Sequence, residues 1–140
     1  MGAGGGAAAS PSSEILARWV DDYEAALRQF VGTAKAWNIQ PVLMTQARLS
    51  ATDAEGRFVP DAMAEAHAAF NDRLRVVAAD ENVPLIDLAA LHAWSRHELY
   101  DGLHFNDTGS LVAARIIAAA LEGVLRPERE LAAVGAGLAE

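Results

Sequence analysis

Asp101-Gly102-Leu103-His104, followed directly by Phe105-Asn106-Asp107-Thr108-Gly109, sets a carboxylate and an imidazole three residues apart, just ahead of a predicted helix. A histidine whose ring is held by a carboxylate can take a proton from a hydroxyl nucleophile and later return it to a leaving group, which is the proton chemistry of acyl transfer. The glycine between the two lets the chain turn back, so that Asp101 can reach Nδ1 while Nε2 stays available. Such a pair also needs a nucleophile and donors for a developing oxyanion. The competing assignment is a histidine that caps a helix or fills a loop, with Asp101 a turn residue beside it.

The serines offer no obvious nucleophile. Ser10, Ser12 and Ser13 precede the first predicted helix and read as caps, Ser95 lies ahead of the motif, and Ser110 belongs to the start of the last helix. None sits in a strand-to-helix elbow of the kind that exposes a catalytic hydroxyl. Ser50, at the carboxyl end of a predicted strand where ligand crevices of open sheets form, is the least implausible, with a plain loop role as its alternative. His92, His97, Asp101 and His104 could converge on zinc, but their spacing matches no helical ligand pair, and exposed histidines in a polar segment are the reading adopted. No metal and no other cofactor is expected. His67 reads as a core-edge residue on an apolar helix face. Trp19, Trp37 and Trp94 read as core or edge packing, with Trp94 the nearest to the motif.

These residues need elements to position them. Ile15, Trp19, Tyr23, Leu27, Phe30 and Ala34 recur at three- and four-residue spacing, widened by Leu16, Val20 and Val31, which predicts an amphipathic helix from Ser10-Pro11 to about residue 37, ended by Asn38. Pro41-Val42-Leu43-Met44-Thr45-Gln46 is a short apolar run of the kind buried on both faces of a parallel sheet. Residues 47–59 form a long mixed connection, either bordering a ligand site or a solvated surface loop. Pro60-Asp61 opens a second helix, to about residue 80, with Met63, His67, Phe70, Leu74 and Val77 on one face and Arg73 and Arg75 directed elsewhere. Val83-Pro84-Leu85-Ile86-Asp87-Leu88 is a second buried strand, and a short helical or irregular piece spans residues 89–96. Asp107 or Thr108 caps a third helix, which carries Leu111, Val112, Ile116, Ile117, Ala118 and Leu121 to about residue 125. The order predicts α/β architecture with right-handed crossovers onto one parallel sheet.

Composition narrows the classes. A chain of 140 residues with 52% hydrophobic and 21% charged side chains is expected to be one globular domain over residues 13–126, between a flexible Gly/Ala leader (1–12) and a weakly ordered tail (127–140). The net charge of −8, with 11 basic residues scattered among 19 acidic ones, argues against a nucleic-acid partner. Without cysteines there is no disulfide framework and no thiolate nucleophile. No stretch has the apolar length of a membrane span, and the leader lacks the features of a secretory signal, so the compartment is left open with cytoplasmic the default. Two strands and three helices leave one strand edge bare, so the chain is expected to be the C-terminal portion of a larger sheet or to cover that edge by self-association.

The order of elements and the residues they carry resemble the C-terminal half of the SGNH (GDSL-type) hydrolase family, over about residues 14–125. Tyr23-Glu24-Ala25-Ala26-Leu27 resembles the helix after that family's third strand, Pro41-Val42-Leu43-Met44-Thr45-Gln46 the strand that follows, and Phe70-Asn71-Asp72-Arg73-Leu74 a helix with a recurrent asparagine. Val83-Pro84-Leu85-Ile86-Asp87-Leu88 is similar to the last strand, and Asp101-Gly102-Leu103-His104-Phe105-Asn106 to the last block, D-x-x-H ahead of an alanine-rich helix. The resemblance implies a flavodoxin-like three-layer α/β fold with a parallel sheet, incomplete in this chain. It also implies an ester hydrolase acting on acyl esters or O-acetyl groups, with His104 the general base and Asp101 its orienter. The family's Gly-Asp-Ser nucleophile block and the two blocks that complete its oxyanion hole have no counterpart here. The chain is therefore expected to supply the Asp/His part and to be inactive alone. Its expected partners are a small-molecule ester and, through pairing, the missing N-terminal half. The alternative is a non-catalytic α/β module that pairs through an exposed strand edge.

Overall fold

The computed structural model describes residues 12–49 and 62–125. The expectations for the leader up to residue 11, the residue 50–61 connection and the tail from residue 126 lie outside the described residues. In chain order the elements are α1 (Ser13–Ala36), β1 (Leu43–Met44), α2 (Ala62–Asp80), β2 (Leu85–Ile86), α3 (Leu88–Leu91) and α4 (Asp107–Leu125). The architecture is mixed α/β, mostly helical, with a small parallel sheet. None of the described helices is long and apolar enough to cross a membrane.

The Ser12 side chain caps α1 by accepting from the Ile15 N–H, and Glu14 and Lys35 lie where the helix dipole favours them. α1 and α2 end in the same way. Asn38 (φ 57°) and Asn82 (φ 49°) take the left-handed conformation that asparagine tolerates. The next N–H, of Ile39 or Val83, then reaches back to the carbonyl of Ala34 or Ala78, at 2.9 and 3.0 Å. Each helix thus turns directly into the approach to a strand.

The apolar band of α1 is wider than the surface that receives it. Leu16, Val20, Tyr23, Leu27, Val31 and Ala34 are buried or half-buried, whereas Ile15, Trp19 and Phe30, expected on the same stripe, form an exposed flank. Trp37, read as packing, stands 77% exposed. On α2, Met63 is likewise exposed, and Ala66, Asn71, Leu74, Val77 and Ala78 are the buried side chains.

β1 and β2 run parallel, with Leu43 opposite Leu85 and Met44 opposite Ile86, joined by the crossover through α2 that parallel pairing requires. Both strands are shorter than the six-residue runs that predicted them. Pro41 and Pro84 have no N–H to give a ladder, and Asp87 already opens α3. Neighbouring residues of β2 feed different clusters. Leu85 packs with Val31, Leu43, Leu74, Val77, Ala78 and Val83. Ile86 joins Ala47, Leu88, Trp94, Leu99 and Ala113, beneath Val112, Ile116, Ile117 and Leu121 of α4. Both faces of the sheet are therefore packed.

Polar side chains close what the short strands leave open. The buried Thr45 hydroxyl donates to Asp87 (2.8 Å) and accepts from the Ala89 N–H (3.0 Å), so it caps α3 in place of Asp87. The Asp87 carboxylate is gripped on both oxygens by Arg75, at 2.8 Å each. Leu43 and Thr45 direct their N–H groups at β2, which turns the peptide groups of Met44 and Gln46 to the outer edge. There Asn71 of α2 accepts from the Gln46 N–H (3.0 Å) and donates to the Gln46 carbonyl (2.9 Å), as a neighbouring strand would. Among the described residues no strand pairs with this outer edge of β1.

Candidate active site

The motif sits at the tip of a short hairpin rooted on α4. Asn106 caps α4, its Oδ1 accepting from the Gly109 N–H at 3.0 Å. The cap is thus one residue ahead of the expected Asp107 or Thr108, because Asp107 is already helical. Asn106 also donates through its main-chain N–H to the Glu98 carbonyl (2.9 Å) and through Nδ2 to the His97 carbonyl (2.9 Å). Leu99 bridges antiparallel to Phe105, and the Tyr100 N–H donates to the His104 carbonyl. Leu99 anchors the hairpin in the core, and the Leu49 N–H, just past β1, holds the Gly102 carbonyl at 3.0 Å. The segment that leaves the carboxyl end of β1 therefore meets the motif.

At the tip, Asp101 uses both carboxylate oxygens. Oδ1 accepts from the main-chain N–H groups of Leu103 and His104, each at 2.8 Å, and Oδ2 lies 2.8 Å from His104 Nδ1. The two main-chain donors, and after them the imidazole, hold the Asp101 carboxyl down to about 2. An ionised carboxylate only accepts, so this contact assigns the proton to Nδ1 and leaves the Nε2 lone pair free. Tyr100 stacks on the imidazole, with ring centres 5.8 Å apart and planes 12° from parallel. The pair opens to solvent, with the His104 side chain 67% and the Asp101 side chain 47% exposed. Nε2 has no hydrogen-bond partner among the described residues.

Asp101 gives a direct test. A carboxyl lowered on folding contributes stability above its ordinary value near 4, and that contribution is lost as pH falls through the folded value of about 2. A carbon-detected NMR titration of Asp101 is expected to show a midpoint near 2, moving up toward 4 in unfolding urea. An Asp101 midpoint near 4 in the folded chain would refute the clamp.

The other candidates go elsewhere. Ser12 caps α1, Ser13 begins it, Ser110 lies in the first turn of α4, and the Ser95 hydroxyl donates to Glu98, so none of these bonds His104. Ser10 and Ser50 lie outside the described residues. His92 pairs with Glu98 and His104 with Asp101, and no three metal-ligating side chains converge among the described residues. Trp94 is buried, donates to the Leu88 carbonyl at 3.0 Å and packs on His92 and Phe105, which makes it a floor under the hairpin. His67 is half-buried and shifted downward by that burial. With Tyr23, Met44, Gln46, Phe70 and Asn71 it lines a hollow of about 230 Å³ beside the open edge of β1.

Glu98 carries a role that its place in the sequence does not announce. Its Oε1 lies 2.6 Å from His92 Nε2, and its Oε2 accepts from the N–H and hydroxyl of Ser95 at 2.9 and 2.7 Å. His92, then the two Ser95 groups, hold its carboxyl down to about 2. Ser95-Arg96-His97-Glu98 has the S-x-x-E spacing of a capping box, the one local signal that could have found it. No protein-family model matches the chain, and no curated protein matches it.

Proposed function

We propose that this chain supplies the Asp/His half of an SGNH-type ester-hydrolysing site, on a flavodoxin-like three-layer arrangement that further strands complete. The observation that carries the reading is the 2.8 Å contact from Asp101 to His104 Nδ1, on an exposed imidazole whose Nε2 has no hydrogen-bond partner among the described residues. In that role Nε2 takes the proton of a serine hydroxyl as its oxygen attacks an acyl or O-acetyl carbonyl. Asp101 stabilises the imidazolium, which then protonates the departing alkoxide. Water repeats the cycle on the acyl-serine. The serine and the oxyanion donors come from a Gly-Asp-Ser and a Gly-x-Asn-Asp segment outside this sequence.

The purified chain alone is expected not to turn over a chromogenic short-chain ester. Adding a polypeptide that carries both segments, from the same genomic locus, is expected to produce turnover, which Asp101→Asn lowers by about 10⁴. Turnover by the chain alone that disappears in His104→Ala would overturn the half-site, and loss in Ser50→Ala would identify a local nucleophile. Turnover indifferent to Asp101 and His104 would end the hydrolase reading.

The second reading, a non-catalytic module that pairs through its strand edge, is favoured by the open Met44 edge and the exposed Ile15, Trp19 and Phe30 flank. A stable homodimer with no ester turnover in any mixture selects it.

A further inference from the structure

We infer that Glu98 is the positioning residue for the Asp101–His104 pair, acting through the base of the hairpin and not by contact with a substrate. The inference rests on the reading of that pair as a proton-transfer device. Glu98 lies three residues before Asp101, and its side chain is only 13% exposed although it is a carboxylate. That burial is compensated on both oxygens, by His92 on one and by the N–H and hydroxyl of Ser95 on the other.

The same residue holds the hairpin through its main chain. The Glu98 carbonyl accepts from the Asn106 N–H, and Asn106 both follows His104 by two residues and caps α4. One residue therefore joins the segment leaving α3, the two arms of the hairpin and the start of α4. Asp101 and His104 stand on opposite arms, so their 2.8 Å contact depends on the register that the Glu98–Asn106 bond sets at the base. His92 and Ser95 both lie in the segment between α3 and the hairpin, and His92 packs edge-on against the buried Trp94.

The readout is the tautomer of His104, which a purely structural contribution elsewhere would not move. Long-range proton–nitrogen NMR above the histidine titration range is expected to find His104 in the Nδ1–H form in the wild-type chain. In Glu98→Gln, which keeps the shape but cannot serve as an ionic acceptor for His92, and in Ser95→Ala, the Nε2–H to Nδ1–H ratio is expected to rise several-fold. Helix content and the Trp94 fluorescence should be retained, and Glu98→Ala should show the larger rise. If Glu98→Ala fails to fold, the two milder variants carry the test. An unchanged His104 tautomer in folded Glu98→Gln and Ser95→Ala would overturn the inference. A wild-type His104 in the Nε2–H form would instead defeat the underlying dyad, so the two failures are distinguishable.

Discussion

Gly109→Ala is expected to destabilise the chain by about 3 kcal/mol, since overpacking against a part that cannot yield costs at the upper end of the usual range. A Cβ at this position would lie 2.8 Å from the Glu98 carbonyl carbon, closer still to its oxygen, and 3.0 Å from Phe105 Cδ1. The obstructing atoms belong to the backbone at the hairpin base, and the oxygen is already engaged by the Asn106 N–H. Relief requires α4 to withdraw from the hairpin, which uncovers Ala113 and loosens the packing of Val112 and Ile116. Gly123, on the same helix, and Gly32, in α1, have nothing within 4 Å of an added Cβ. Alanine there should stabilise by up to about 1 kcal/mol, because glycine is the poorer helix former. Urea unfolding of the three variants checks both signs. A Gly109→Ala midpoint that matches wild type would mean that α4 and the hairpin are not in this contact.

The second large effect is expected at Asn71. Asn71→Leu keeps the branched outline but leaves the Gln46 N–H and carbonyl without partners, and two stranded main-chain groups cost roughly 2–4 kcal/mol. The same change lengthens the unpaired edge of β1 from Met44 to Gln46, so association should become concentration-dependent. Asn71→Asp restores the acceptor for the Gln46 N–H but sets a carboxylate against the Gln46 carbonyl, and should be destabilised for that reason. Urea midpoints together with sedimentation velocity check the pair. A monomeric Asn71→Leu chain with a midpoint unchanged within about 0.5 kcal/mol would show that the amide contributes no closure of the edge.

Both predictions concern contacts between different elements, which spacing along the chain does not encode. The three helices are visible from periodicity, and α1 stops at the expected Asn38, which the structure places at positive φ. The strands were visible as apolar runs, yet their length was overestimated, since a run of apolar residues carries no information about where a partner's carbonyls lie. Ile15, Trp19 and Phe30 belong to the same apolar band as Val20 and Val31. Only the surface that α2 and the sheet together present decides which of them is covered.

The Asp101–His104 pair was legible because its geometry is local. Three residues with a glycine between put a carboxylate within reach of Nδ1, and in the structure the two lie 2.8 Å apart. The bracing of that pair was not legible. His92 and Glu98 are six residues apart in no regular element, and each of Asn106's bonds to His97 and Glu98 depends on a hairpin that the sequence pattern does not announce. The substitution of Asn71 for a neighbouring strand and of the Thr45 hydroxyl for an Asp87 cap are of the same kind. By itself, then, the sequence determined the helices, the approximate strands and a carboxylate–imidazole motif, because periodicity and short-range turns are encoded between near neighbours. Only the tertiary structure decided which edge is closed, which apolar flank stays bare and what holds the motif in register. Those depend on donors and acceptors meeting across the fold, where spacing along the chain sets no distance.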